Sequence, residues 1–512
     1  MDHGHRDTVG PEVRKLVKPL FGLALAGLLS ACTVTPQPFG DEELTDAAAT
    51  YRKAVTADQE PVDGPIDLYE AMARALKYNL DKRVEMMEEA VRSKELDLAH
   101  YDMLPQVVAN ANYNGRNNYS GASSFSLLSG QPSLEPSTSS DKDTWTYHMG
   151  LTWDVLDFGI SYARAKQSAD RVLISEENKR KVVNRIIEDV RTAYWRAVSS
   201  QRLLDKLIEL EGSVENALSD SQKLFERRVS APLTALTYQR ELVTIKRETQ
   251  RMHRELRLAK LQLAALMNLG PAEDYALVIP DRTVSSTLFQ MDPEEMVQNA
   301  LWNRPELREV SYLRRINQEE TQIEMLKVFP NLRLFFGGNY DSNTFLFNND
   351  WTAWGAHASW NLINVFNYND RMDAVEAQDR LLEKRALALS MAIMTQVYVS
   401  RARYDNFQRE LDTAAQYHGI QSRILEQIRA GARAGRISKQ TLIREEMNTL
   451  VAQAQYDIAY ADLQNAFANI YASMGLDPFA ADLRGDESVE ELATSLKALW
   501  QSRGDKVAAA SM

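Results

Sequence analysis

Side chains able to do chemistry are thinly spread along this 512-residue chain. Its seven histidines are scattered, and none shows the His-Glu-x-x-His spacing that sets two imidazoles on one helix face around a metal. His148 and His357 fall on the polar sides of two alternating segments, where a place in a lumen or core fits better than catalysis. No glycine-rich phosphate loop and no serine-nucleophile motif occurs. The sequence therefore predicts no catalytic residue, no metal and no cofactor.

The single cysteine, Cys32, rules out an intramolecular disulfide and a cysteine-based zinc site. Its surroundings point to a different reaction. Arg14, Lys15 and Lys18 precede an apolar run from Leu20 to Leu29, and small residues follow, which is the layout of a secretory signal peptide over residues 1–31. Ten apolar residues are too few to span a bilayer, which takes ~20. Leu29-Ser30-Ala31-Cys32 resembles the bacterial lipobox, in which the cysteine sulfur takes a diacylglycerol and the new amino terminus a third acyl chain such as palmitate. Several chains anchor a protein stably where one is marginal, and in that pattern Thr33, rather than Asp, favours the outer membrane. A chance thiol behind an ordinary signal peptide is the plainer alternative.

A net charge of −12, about −13 once residues 1–31 are removed, argues against nucleic acid as a partner, because a phosphate backbone needs a basic surface. Apolar residues make up 44% and charged residues 25%, an ordinary globular composition.

The elements that position these residues are long. From Val182 onward, Val183, Ile186, Val190, Ala193, Ala197, Ser200, Leu204, Leu207, Glu211, Val214, Leu218, Ser221 and Phe225 recur at steps of three and four, with Ile187, Tyr194, Val198 and Ile208 widening the stripe. That is a coiled-coil seam. A helix starting near Ile160 would reach roughly 100 Å at 1.5 Å per residue. It breaks at Arg228-Val229-Ser230, where Ser230 can cap and Pro232 suits a first turn, and a return helix runs to about Asn268. A second long helix, from about Asp370 to Arg429, breaks at Gly435-Arg436-Ile437-Ser438 and returns to Leu476. Trp153 and Trp360 are 207 residues apart, as are Leu269 and Leu476, which marks an internal duplication.

Each copy also carries two alternating segments behind a helix-ending proline, Pro105 or Pro330. Val107, Ala109, Ala111 and Tyr113 oppose Asn110, Asn112 and Asn114. Trp145, Tyr147, Met149, Leu151 and Trp153 oppose Thr146, His148, Gly150, Thr152 and Asp154. In the second copy Leu332, Leu334, Phe336 and Tyr340 oppose Arg333, Gly337 and Asn339, and Trp354, Ala356, Ala358, Trp360 and Leu362 oppose Gly355, His357, Ser359 and Asn361. Strands of ~9 to 11 residues with terminal aromatics suit an outer-membrane barrel; soluble hairpins with one packed face are the alternative. Asp154, Asp157, Asn361 and Asn364 stand at the strand-to-helix joints, where they either line a mouth or cap helices. Four strands cannot close in lipid without leaving backbone groups unpaired. Two chains would give eight strands and a filled bore, whereas three would give twelve and leave a passage.

This duplicated order, helix, Leu/Phe-Pro, strand, loop, strand, Trp-Asp/Asn, long helix, tip, return helix, resembles the outer-membrane factor, or TolC-like, efflux family from about Pro65 to Leu476. The resemblance implies a mainly α fold with membrane β: a duplicated strand-strand-long helical hairpin repeat, trimeric, its 12-stranded outer-membrane β-barrel continued by a periplasmic α-helical barrel. The expected divisions are 1–31 signal peptide, 32–66 lipid-anchored segment, 67–269 first repeat, 270–292 linker at the tunnel's waist, 293–476 second repeat and 477–512 tail. It also implies a passive homotrimer lipid-anchored in the outer membrane, extending into the periplasm and docked to a periplasmic adaptor (membrane fusion) protein and an inner-membrane transporter.

By the same resemblance the helix tips meet the adaptor, at Arg228, Val229 and Ser230 and at Gly435, Arg436, Ile437 and Ser438. Many family members carry an Asp nine residues beyond the tip glycine, in a ring that narrows the closed aperture. Here that position is Arg444, followed by Glu445 and Glu446. Two readings stay open: ion pairs from these three between neighbouring helices that keep the tunnel shut, or a solvated helix face. Two other roles also fit the chain, the exit duct of a type I protein or polysaccharide secretion system and a non-channel coiled-coil envelope lipoprotein.

Overall fold

The computed structural model describes residues 36–57, 59–132, 135–227, 231–270, 273–282, 291–476 and 487–510. The chain divides into two compact units, Met1–Gln59 and Glu60–Met512. In the first, helix α1 (Asp41–Ala54) buries no residue. Its ends are favourable without packing: Asp41, Glu42 and Glu43 sit in the positive first turn and Arg52 and Lys53 in the negative last one.

The second unit is built twice. Helices α2 (Leu68–Tyr78) and α3 (Leu80–Tyr101) lead into strands β1 (Gln106–Gly115) and β2 (Asp143–Asp154), then α4 (Val155–Glu226) and its return helix α5 (Pro232–Leu266). The second copy runs α6 (Pro293–Asn303), α7 (Pro305–Leu326), β3 (Asn331–Asp341), β4 (Asp350–Ser359), α8 (Leu362–Phe366), α9 (Tyr368–Arg433) and α10 (Lys439–Ser473), with α11 (Val489–Ala510) after it. The starts of α6, α7 and β3 each follow their counterparts by 225 residues, whereas β4 and everything after it follow by 207. The 18-residue difference lies in the longer loop between β1 and β2. The duplication also preserves how the return helices stop. Asn268 (φ 59°) and Gly475 (φ 68°), 207 apart, both take the left-handed conformation, and the amides of Leu269 and Leu476 then reach back to the carbonyls of Ala264 and Tyr471.

The 72 residues of α4 give roughly 108 Å of helix. In the second copy the same span is broken once, at Asn367, which ends α8 and precedes α9. Leu362, read as the end of a strand, opens α8 instead. The seam of α4 also differs from its prediction in one stretch. Beyond Ser200 the buried positions are Leu203, Leu207, Leu210, Val214, Ala217 and Ser221, whereas Leu204 is only partly covered and Ile208 is 51% exposed. An extra step of three after Ser200 keeps the stripe turned toward both α5 and α10: Leu203, Leu207, Leu210 and Val214 share one core with Leu242 and Ile245 of α5 and Ile443, Met447 and Leu450 of α10. Ala231 stands in the cap position of α5 with Pro232 in its first turn.

A larger core joins α2, the middle of α4, the ends of α5 and α10, α6, the middle of α9 and α11. The segment after α5 is tied in by a parallel bridge between Ile66 and Leu277. The four strands form one antiparallel sheet in the order β1-β2-β3-β4.

Candidate functional site

The sheet wears its apolar face outward. Along β2, Trp145, Tyr147, Met149, Leu151 and Trp153 are each more exposed than the Thr146, His148, Gly150, Thr152 and Asp154 that alternate with them. Across the strands Val107, Leu151, Phe336 and Trp354 form one outer row, and all four are exposed. No sheet stable in water shows its large apolar side chains to the solvent and shelters its polar ones.

Aromatic rings bound this face at both ends. Toward the loops, Tyr113 and Trp145 lie 4.9 Å apart and Tyr147 and Tyr340 lie 5.9 Å apart; toward the helices, Trp153 meets Phe158 edge-on at 5.8 Å. From Trp145 to Trp153 is roughly 27 Å along the strand, or about 20 Å once tilted by ~40°, close to the ~25 Å apolar band of an outer-membrane barrel.

The inner face is polar and flat. Val108, Gly150, Gly337 and Ala353 run side by side across it. A Cβ on Gly150 would stand 2.8 Å from the Phe336 carbonyl oxygen, and one on Gly337 2.8 Å from that of Met149, so backbone contact demands both glycines. The His148 ring lies against this pair and its Nδ1 is 2.9 Å from Asn339 Oδ1. Phe335 covers Gly355 in the same way. His148 is thus a wall residue held by its cross-strand neighbour; His357 is exposed on the same face.

At the joints, Asp154 does not cap α4. It accepts from Asn331 Nδ2 at 2.8 Å and Arg333 Nε at 2.9 Å, fastening β2 to β3. Asn361 does cap, accepting the Ile363 amide, and Asn364 Nδ2 with Trp360 Nε1 donates to the carbonyls of Lys327 and Val328 at the end of α7. The sheet's order continues into the helices: α3 packs on α4, α4 on α7 and α7 on α9. Asp170 with Arg315 and Asp379 with Arg314 pin these contacts.

At the second helical tip Gly435 is left-handed (φ 71°). Ile437 folds onto Gly431, where a Cβ would stand 2.6 Å from its Cδ1, while Arg436 is exposed and Ser438 caps α10 through the Thr441 amide. The first tip, Arg228, Val229 and Ser230, lies outside the described residues, as does Cys32. The three gate candidates do not pair across the α10 surface with one another alone. Arg444 reaches Glu241 of α5 at 3.3 Å and its neighbour Glu445 at 3.4 Å, and Glu446 takes Arg429 of α9 at 3.1 Å. Glu445 accepts from Gln421 of α9 at 2.8 Å and from Asn448. Burial pushes the Glu445 carboxyl up, but these donors and Arg444 outweigh it and hold it below its ordinary value.

Sequence reasoning passed over Glu241, which also accepts from Gln440 at 2.6 Å, and Asp457. Asp457, 5% exposed, holds Arg202 of α4 at 2.5 Å and Arg282 of the segment after α5 at 2.6 Å. An acidic residue on an otherwise apolar stripe of α10 was the available signal for Asp457; Glu241 sits among ordinary surface charges and gave none. Among the described residues no cluster of His, Cys, Asp and Glu has the makings of a metal site, and no helix is long and apolar enough to cross a membrane.

An outward apolar sheet feeding long helices defines an outer-membrane channel protein. Residues 72–269 and 296–476 match the family described as outer membrane efflux protein, and the chain belongs to that family. Its fold is shared with solved outer-membrane channels. The Campylobacter jejuni CmeC channel is 12% identical, with 91% of this chain and 97% of that one covered at a TM-score of 0.62. The channel OprN is 16% identical, covering 80% and 89% at 0.61, and the Vibrio cholerae protein VceC 13%, covering 80% and 96% at 0.59. No curated protein matches the chain. Membership assigns the chain to the outer membrane and to efflux, as a channel component rather than an enzyme, and sets aside the reading as a non-channel spacer.

Proposed function

We propose that three copies of this chain close into a passive conduit, a 12-stranded barrel in the outer membrane continued by a helical tunnel into the periplasm. One observation carries the reading: the chain has free edges at two levels, and they coincide. β1 and β4 are the outer strands of the sheet, and α3 and α9, which adjoin them, are the outer helices of the layer beneath.

The α3 edge is also sticky. Leu80, Val84, Met87, Val91, Leu98 and Tyr101 are 42–68% exposed at coiled-coil spacing, and α9 shows Leu381, Leu387, Met391 and Tyr398. Pairing β1 with a neighbour's β4 leaves no strand edge in lipid and brings these stripes together. Twelve strands, unlike eight, leave a bore that side chains do not fill.

In this reading Cys32 carries the lipid anchor. The tips at Arg228, Val229 and Ser230 and at Gly435, Arg436, Ile437 and Ser438 meet a periplasmic adaptor, and an inner-membrane transporter supplies the energy. Arg444, Glu445 and Glu446 act at the closed end by holding α10 to α5 and α9. The divisions proposed for the chain remain the signal peptide, anchored segment, two repeats, linker and tail given by its sequence. The test is the mass of the purified, lipidated protein in detergent together with its single-channel conductance in a planar bilayer. A trimer with three acyl chains per subunit and discrete openings is expected. A monomer without conductance would overturn the closure, and a trimer of unmodified chains would overturn the anchor alone.

A further inference from the structure

A cleft of about 630 Å³ lies over α4 between α5 and α10, away from both the sheet and the tips. Its size is that of a small-molecule site. Met252 and Leu256 of α5 and Ile458 of α10 give it apolar walls. Three polar groups in it are unusual.

Trp195 is 9% exposed, and its indole Nε1 has no hydrogen-bond partner among the described residues. Edge-on contacts with Tyr194 and Tyr460, at 5.5 and 5.1 Å, fix the ring. The Asn465 amide spends its nitrogen on Thr192 Oγ1 at 3.2 Å, leaving a buried Oδ1 with no donor. Asp462 stands one turn before Asn465 on the same face of α10. It forms no hydrogen bond or ion pair among the described residues, and the field of Arg196 that favours its charge is opposed by that of Glu410 on α9. Burial pushes its carboxyl up. Orphaned buried groups of this kind cost free energy and call for an explanation.

We infer that this cleft binds a small amphipathic cation, its apolar body between α5 and α10, its charged N–H donors on Asp462 and Asn465 Oδ1, and an acceptor atom on the Trp195 indole. An unpaired carboxylate beside an unpaired carbonyl selects for a donor-bearing cation, while the indole N–H adds a demand that a plain ammonium does not meet. Every group named belongs to one chain, so the site stands or falls independently of trimer closure.

The test uses the full-length protein in nanodiscs and fluorescence polarisation of rhodamine 6G, a planar cation with N–H donors and an ester carbonyl. N-phenyl-1-naphthylamine serves as an uncharged amphiphile. Saturable binding of one rhodamine per chain is expected. Trp195→Phe keeps an aromatic ring but removes the N–H, and should weaken it about five-fold, the size of one net hydrogen bond. Asp462→Asn should weaken rhodamine about ten-fold and leave the neutral probe unchanged, the signature of a lost charge-assisted contact. Ile458→Trp, on an exposed wall position, should fill the cleft and abolish binding without altering the thermal melt. Non-saturable uptake, or rhodamine binding undiminished in Trp195→Phe, Asp462→Asn and Ile458→Trp, would overturn the site.

Discussion

The sheet and the helical body place their side chains by opposite rules. In the helices, Val183, Val190, Ala197 and Leu203 are at most 1% exposed and most of the charges face out. In the sheet, Met149 is 65% exposed and Trp354 74%, while Thr146 and His148 are sheltered. One chain obeys both because it meets two solvents. Where water surrounds the protein, apolar area is driven inward at roughly 25 cal/mol per Å²; where lipid surrounds it, that drive vanishes and the polar groups turn away from the lipid. A charge is therefore costly in the helices when it is buried and costly in the sheet when it is exposed.

The strongest way to break this contrast is an arginine at Met149, midway between the aromatic ends of β2. On a lipid-facing position near the bilayer midplane it should cost about 2–4 kcal/mol in each subunit, repeated threefold in a trimer. Thr146→Arg puts the same charge on the inner face, beside Asp341 in the register. We expect membrane-inserted, heat-modifiable protein to be largely lost for Met149→Arg and retained for Thr146→Arg in outer-membrane fractions. Equal loss from both would mean that the sheet does not face lipid on one side only.

The helical body already carries the converse case. Lys82 is 6% exposed in the first turn of α3, where a cation also opposes the helix dipole. Burial, then the like charges of Lys179 and Arg83, lower its pKa from 10.5 to about 8, against the pull of Glu487. Between those values the unfolded chain keeps a proton that the folded one has lost, so stability should rise as pH goes from about 8 to 10.5. Below pH 8 the full penalty stands, on the order of 3 kcal/mol. Lys82→Met should raise the unfolding midpoint at pH 7 and flatten the alkaline rise. A variant that melts lower at pH 7 would show that the ammonium is instead held by a compensating partner.

How much of this was legible in the sequence follows from range. The alternation in β2 and the left-handed stops at Asn268 and Gly475 are local, so Trp153, Trp360, Leu269 and Leu476 sufficed to find the duplication. The helical seam was legible as far as Ser200, where Val183, Ile186, Val190, Ala193, Ala197 and Ser200 are all buried as their spacing predicts. It drifted beyond Ser200, where the stripe packs against Leu242 and Ile245 of α5 and Ile443 and Met447 of α10 and a step of three brings Leu203, not Leu204, inward. Asp154 looked like a cap because caps are local; its partners Asn331 and Arg333 lie more than 170 residues away. Glu241 was missed for the same reason. Arg444 and Glu445 were visible as charges, but which helix each grips depends on how two hairpins pack.

The smallest effect expected is also the one that decides the gate. Arg444 and Glu241 are 47% and 31% exposed, so their pair contributes only ~0–1 kcal/mol to folding, and Arg444→Ala should leave the melting temperature nearly unchanged. Its consequence would be read in the proposed tunnel instead. Near the tips, α5 and α10 are joined through Glu241 to Arg444 and Gln440, while Lys439 approaches Asp220 of α4 at only 3.9 Å. A small energy is enough to shift an equilibrium between closed and open hairpins when the two states differ by only a few kcal/mol. Arg444→Ala should therefore raise trimer conductance or open time in a planar bilayer. Glu241→Gln should do the same, and the double variant should add little because one contact has been removed twice. Conductance unchanged in both single variants would leave Arg444 and Glu241 as an ordinary solvated pair, in which helical surface charge is as inconsequential for gating as it is for stability.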